Sequence, residues 1–420
     1  MLDWPTVAIR LALYLVLAAL FGLSAFSLYG LRLGERDDAI ALRPWLTASA
    51  ALGLLLSAAG LILMASAVNL LMIQLAVEFV SLTSYLLVGF LKKDARAKEA
   101  AVKYLLFGSM ASGIMLYGMS LVFGATGSLD LDVIQKTLAN ASPFLNLSLV
   151  SVLLFLLGLG FKISMAPFHM WAPDVYEAAP TPVTAFLTVG PKALGFALLI
   201  RILSTAFSWI EWKWSFLIMA LSILTMTIGN VVAISQTNIK RLLAYSSIAQ
   251  AGYILMGLAV FNQTGLTGIL IYLLAYAFTN LGAFAVVIAV SNHFQNDDLA
   301  SYAGLAKRSP FLAACLTLFF LSLAGIPPLG GFIGKFFVFS SAIEEGFITL
   351  AVAAALNSAV AAFYYFKVVR MMYLVPAASD EPVPSPAPLT LALCLMLAGV
   401  FAIGLAPAPF IAFVKQMLLV

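Results

Sequence analysis

Runs of about twenty apolar residues recur along this chain, and a run of that length can cross a bilayer in only two ways. In hydrocarbon every backbone N–H and C=O must be bonded within the protein, so such a run is an α-helix or part of a closed barrel. The runs show no period-two alternation, which excludes the barrel. Composition agrees: 63% of the 420 residues are hydrophobic and 10% are charged, against about 45–50% and about 25% in soluble chains. Spans are expected near 7–31, 46–66, 69–91, 100–124, 144–163, 183–207, 214–235, 241–261, 266–291, 310–343, 347–373 and 389–410. The fold class is therefore all-α, a polytopic membrane protein of about twelve transmembrane helices. The first run is longer than a signal-peptide core and reads as a retained span.

Short loops rich in Lys and Arg stay on the cytoplasmic side. Arg32, Arg36 and Arg43, then Lys92 to Lys98, then Lys307 with Arg308, and Lys367 with Arg370 fall on one side by count, so that side is expected to be cytoplasmic. Asp130, Asp132, Glu211, Glu344 and Glu345 fall on the other. The stretch Pro376 to Pro388 is too rich in proline, serine and acid to span, and reads as a linker. The only basic cluster is Lys92, Lys93, Arg96 and Lys98, which gives nucleic-acid binding little support. Cys315, Cys394, His169 and His293 stand apart from one another, without metal-ligand spacing, so no metal or disulfide is expected.

The informative residues are the charges inside apolar runs. Glu78 sits about ten residues into the run 69–91, where a carboxylate costs on the order of 2.5–3.5 kcal/mol and needs a partner. Lys162 closes the run 144–160, just ahead of Pro167, which removes a helix hydrogen bond. Lys192 follows Pro191 in the next span, and Lys335 follows Gly325–Gly334, a Gly/Pro-rich break inside a run too long for one straight crossing. Two Pro/Gly-broken helices in different parts of the chain point to a transporter with inverted repeats and a site near the midplane. A lysine amine enclosed in a low-dielectric interior can give up and retake a proton, which arginine cannot do. Glu99 and Lys103 share a helix face at i, i+4. Lys240 and Arg241 open a further helix, where solvated or snorkelling charge is an equal alternative; it is an alternative for Glu99 too, and a lesser one for Lys103. His169, beside Trp171, is read first as a packed helix-end histidine and second as a proton relay.

At these residues the chain resembles subunit N of bacterial NADH-quinone oxidoreductase, respiratory complex I. The stretches that carry the resemblance are 78–82, 99–104, 124–129, 160–182, 240–253 and 325–336, in order, within about 68–410. The segments Pro167–Glu177 and Lys240–Ile248 are the most specific. The resemblance implies an antiporter-like, proton-translocating subunit in the bacterial inner membrane. It would lack a redox centre of its own and be driven by quinone reduction elsewhere in an enzyme complex. FMN and iron–sulfur clusters would sit on partner subunits, and its partners would be other membrane subunits and the bilayer. It also implies site roles: Glu78 with Lys162 as the input pair, Lys192 as central relay and Lys335 as terminal lysine. Lys103 and Lys240 match further family lysines.

A related alternative is a subunit of a multi-resistance-type cation/proton antiporter. Residues 1–65, with Met1–Thr6 and Ala41–Thr47, look instead like the opening of a copper-resistance D-type membrane protein. They hold no His or Cys, which argues against copper handling, and they put two helices before Glu78 where the family has about four. The chain is thus divided into a two-helix N-terminal segment, 1–65, and an antiporter-like translocation domain, 66–420.

Overall fold

The computed structural model describes residues 43–91, 94–140, 145–377 and 381–419. The expected span 7–31, the loop residues Arg32 and Arg36, and Lys92 and Lys93 lie outside the described residues. Described secondary structure is helical, in chain order α1 (Arg43–Ser66), α2 (Leu70–Val88), α3 (Ala95–Thr126), α4 (Leu131–Ala139), α5 (Leu145–Ile163), α6 (Trp171–Ala178), α7 (Thr181–Thr205), α8 (Glu211–Ile234), α9 (Ile239–Val260), α10 (Gln263–Phe294), α11 (Leu305–Arg308), α12 (Pro310–Ala324), α13 (Gly330–Glu344), α14 (Ile348–Leu374), α15 (Ala387–Leu405) and α16 (Pro407–Leu419). Among the described residues nine helices are long and apolar enough to cross a membrane. The expected run 310–343 is divided into α12 and α13, as its length requires. The expected run 389–410 ends earlier, at Leu405, because Pro407 cannot extend α15 and instead begins α16.

Two halves of the chain are built alike. Asn69 caps α2 and forms an antiparallel bridge with Asp130, just beyond α3; Asn238 caps α9 and forms the same bridge with Asp298, just beyond α10. The helices α3 and α10 are both 32 residues long. Each is followed by an interrupted helix, α5 and α6 in the first half and α12 and α13 in the second, and then by a long unbroken one, α7 or α14. With α1 as opening helix of the first half and α8 of the second, each half has five crossings, an odd number, so the second half runs through the membrane in the opposite direction. The bridges accordingly lie on opposite faces. These are inverted repeats, the arrangement associated with a midplane site.

One face of the bundle gathers Lys103, Asp174, Arg241 and, through Lys240, Asp297. The other gathers Asn69 with Asp130, Gln135 with Ser208, and Asn262 with Glu345. Lys98, Lys307, Arg308, Lys367 and Arg370 lie towards the first face. Lys367 and Arg370 are not in a loop but inside α14.

Helices α7, α9 and α10 are enclosed almost completely by their neighbours, whereas α3, α8 and α15 turn much of their apolar surface outward, as lipid-facing helices do. Helices α8 and α9 approach each other closely in the core. A Cβ on Gly252 would stand 2.5 Å from the amide nitrogen of Met226, and one on Gly229 at 2.5 Å from that of Ala249. Small residues at such crossings let two backbones touch, which supplies the packing that hydrophobicity does not provide within lipid. This tight pairing places the polar side chains of α9 at the centre of the molecule.

Candidate functional site

The first interruption begins where Ser164, in the left-handed region at φ 58, ends α5, with the Met165 amide donating to the Gly160 carbonyl at 2.8 Å. The unwound strand is held from outside. Thr225 on α8 accepts from the Ala166 amide at 3.0 Å, and the Trp171 indole donates to the freed Phe161 carbonyl at 3.1 Å. Lys162 therefore lies in the last turn of α5, near the carbonyl end that favours a cation. It is buried, and among the described residues its Nζ has no hydrogen-bond partner.

Glu78 reaches the same place from α2. Its Oε1 accepts from Gln74 Nε2 at 3.0 Å and from the Ser112 hydroxyl. Among the described residues no ion pair joins Glu78 to Lys162; Lys162 instead faces a cavity of about 10 Å³ that Ser81, Gly108 and Ser112 also line. That is about the room one water occupies. Of the expected pair Lys162 lines this cavity itself, whereas Glu78 is linked to it through Ser112, whose hydroxyl sits on the carboxylate.

Lys192 comes from the buried helix α7. Its Nζ donates to the Ser247 hydroxyl at 2.9 Å and the Ser247 carbonyl at 3.0 Å, and stands 5.9 Å from the centre of the Tyr176 ring. Ser247 is nine residues beyond Asn238, as Glu78 is nine beyond Asn69, so the second repeat offers a neutral hydroxyl where the first offers a carboxylate. Beyond Ser247, α9 continues the polar line. Ser246 meets the Tyr365 hydroxyl, and Gln250 bonds Tyr365, Tyr272 and, at 3.0 Å, the Leu323 carbonyl.

That carbonyl belongs to the second interruption. Gly325, at φ 88, ends α12 and leaves the carbonyls of its last turn without helical partners. Gln250 takes Leu323, and Lys335 Nζ takes Ala324 at 3.0 Å. Lys335 also donates to the Ser358 hydroxyl at 3.2 Å and stands 4.4 Å over the Tyr253 ring. Glu78, Lys162, Lys192 and Lys335 thus follow one another across both repeats, and among the described residues none of the three lysines is paired with a carboxylate.

The other expected residues lie elsewhere. Lys103 bonds Glu99 at 2.8 Å and Asp174 at 3.0 Å, in a half-exposed cluster that Arg241 joins through Asp174 and Glu177. Lys240, nearly buried, pairs with Asp297 at 3.1 Å and donates to the Ala179 carbonyl. Both groups sit on the first face, at the ends of α6 and α9. His169 lies in the first interruption with its Nδ1 buried and, among the described residues, without a hydrogen-bond partner. Sequence reasoning passed over Ser247, Gln250, Tyr253 and Ser358, which are neutral and look like ordinary helix residues. It also passed over Arg201, a buried cation in the run 183–207 that the rule applied to the lysines would have found.

A helical bundle made of two inverted repeats, each with an interrupted helix that carries a buried lysine, defines an antiporter-like membrane protein. The profile of the family described as NADH:quinone oxidoreductase/Mrp antiporter, TM, matches residues 67–361, and the chain belongs to that family. NADH-quinone oxidoreductase subunit N of Trichlorobacter lovleyi is 45% identical over 345 residues, 81% of this chain and 71% of that relative. A chain of respiratory complex I from Thermus thermophilus superposes with a TM-score of 0.79 at 33% identity, covering 98% of this chain and 86% of that one. A chain of the Mrp complex from Dietzia superposes with a TM-score of 0.84 at 22% identity, covering 98% and 83%, a likeness of fold alone. The expected resemblance to subunit N is met. So is the different character of the front: the profile described as copper resistance protein D-like, N-terminal domain, matches residues 1–88. The two matches overlap over 67–88, which takes in α2 and Glu78.

Proposed function

We propose that this chain is a proton-translocating membrane subunit of an NADH:quinone oxidoreductase, with the buried row Glu78/Lys162, Lys192, Lys335 as its relay. The observation that carries this reading is the burial of three lysines without carboxylate partners along one polar line. Each unpaired buried ammonium is costly to hold, so the sites favour groups that change protonation as their neighbours change. In this reading a water between Ser112 and Lys162 passes charge from the Glu78 side. Ser247 and Gln250 carry it past Lys192, and Lys335 delivers it at the second interruption. Lys103, Glu99, Lys240 and His169 flank the line at the first face and in the first interruption, where they tune or gate entry.

The proposed translocation unit is 66–420, with the first face cytoplasmic. The chain works as part of a translocase and reduces nothing itself. Its two cysteines cannot supply the four thiolates of an ordinary iron–sulfur cluster, which supports the reading that iron–sulfur clusters, and FMN with them, belong to partner subunits. The 45% identity to subunit N favours this assignment over the Mrp-type alternative, which has a likeness of fold behind it.

Affinity purification of the tagged full chain in mild detergent, followed by mass spectrometry, tests the assignment. Membrane subunits of an NADH:quinone oxidoreductase are expected in the eluate, with NADH:quinone oxidoreductase activity. Recovery with cation/proton antiporter subunits and without NADH oxidation would overturn it.

A further inference from the structure

The two repeats share one more matched feature, on the helix that closes each of them. In the first, Arg201 on α7 is buried and its Nη1 donates to the Ala67 carbonyl, just beyond the end of α1. In the second, Lys367 Nζ on α14 donates to the carbonyls of Ile234 at 3.2 Å and Gln236 at 3.1 Å, at the end of α8. The positions correspond closely. Ala67 is two residues before the capping Asn69, and Gln236 is two before the capping Asn238. Arg201 is nine residues beyond Lys192, and Lys367 is nine beyond Ser358, the hydroxyl that Lys335 holds. Because the repeats are inverted, the two contacts lie on opposite faces of the membrane.

A cation on the carbonyl end of a helix is favourable, since that end carries partial negative charge and carbonyls without helical partners. Simple snorkelling does not account for Arg201, which is 3% exposed. Its Nη2 is also buried and unpartnered, and among the described residues no carboxylate pairs with it, so an apolar side chain would pack there at lower cost. What the cation adds is a fixed height. Nine residues along α7 is roughly 13.5 Å, a rigid arm between the clamp and the relay amine.

We propose that Arg201 and Lys367 are matched positioning residues: each clamps the last helix of its repeat to the end of the first, setting the reach of Lys192 to Ser247 and of Ser358 to Lys335. This rests on the relay reading above. The test uses the complete complex carrying Arg201→Met, Arg201→Lys, Lys367→Met or Lys367→Arg, with Lys192→Ala as the zero of transport through this subunit. Hydrogen exchange by mass spectrometry reports the clamp, and protons moved per NADH in proteoliposomes report the relay.

In the methionine variants, exchange of the amides at 67–71 or 236–240 is expected to quicken roughly tenfold, the factor a lost charge-assisted hydrogen bond is worth. The share of transport above the Lys192→Ala level is expected to fall at least about threefold, and the conservative variants are expected to restore both readouts. Where methionine prevents assembly, Arg201→Gln, which keeps shorter-reaching donors, is expected to give intermediate values. Unchanged exchange overturns the proposal whatever transport does, and so does quickened exchange with wild-type transport while Lys192→Ala is impaired. Wild-type transport in Lys192→Ala instead overturns the relay reading, and the positioning role with it.

Discussion

Arginine at position 192 is expected to stop proton transfer through this subunit as completely as alanine does. Lys192 is held by a neutral hydroxyl and a carbonyl of Ser247, with no carboxylate among the described residues to keep it charged. The amine can therefore release its proton along the polar face of α9 and recover it. A guanidinium keeps the charge and the donors but does not deprotonate. Transfer at the site should fall by roughly 10² or more in both variants, the usual contribution of a positioned acid–base group. Dye-monitored proton uptake by proteoliposomes during NADH oxidation measures it. Substantial transport in Lys192→Arg alongside its loss in Lys192→Ala would mean that fixed charge, rather than proton exchange, is what position 192 provides.

Valine at Gly331 is expected to cost about 3 kcal/mol and to reduce the amount of assembled protein sharply. Gly331 opens α13 against the end of α12, and a Cβ there would run into the Ser322 carbonyl, which is backbone and cannot swing aside. The Gly331 amide also donates to the Ser322 hydroxyl at 3.1 Å, so the contact that excludes a side chain also fixes the turn that aims Lys335 at Ala324. Gly113 on α3 is the control: a Cβ there meets nothing within 4 Å, and Gly113→Val should leave the melting temperature in detergent almost unchanged. Equal effects at the two glycines would show that the interruption is not closely packed.

The contrast between these residues explains what was legible in the sequence. Charges within apolar runs are conspicuous because hydrocarbon makes them expensive, so Glu78, Lys162, Lys192 and Lys335 could be named from their positions, while their order as a relay came from the family resemblance. Prolines and glycines at 164–167 and 325–331 likewise announced both interruptions. The partners were not legible. Ser247 and Ser358 are common helix residues, and only the packing of α7, α9, α13 and α14 turns them toward a lysine. The inverted repeat was legible as a kind, but not in its detail. The Asn69–Asp130 and Asn238–Asp298 bridges join residues about sixty positions apart, and little in the intervening sequence is alike. The separation of Glu78 from Lys162 was not legible either, because it depends on Gln74 and Ser112 holding the carboxylate on its own side of the cavity.

The number of protons moved per NADH oxidised, measured in proteoliposomes holding the assembled complex with Lys192→Ala or Lys335→Ala, tests the proposed relay most directly. The account predicts a lower ratio in each variant with assembly intact, and the same lower ratio in the double variant, since both lysines serve one line. A wild-type ratio in both single variants would contradict it.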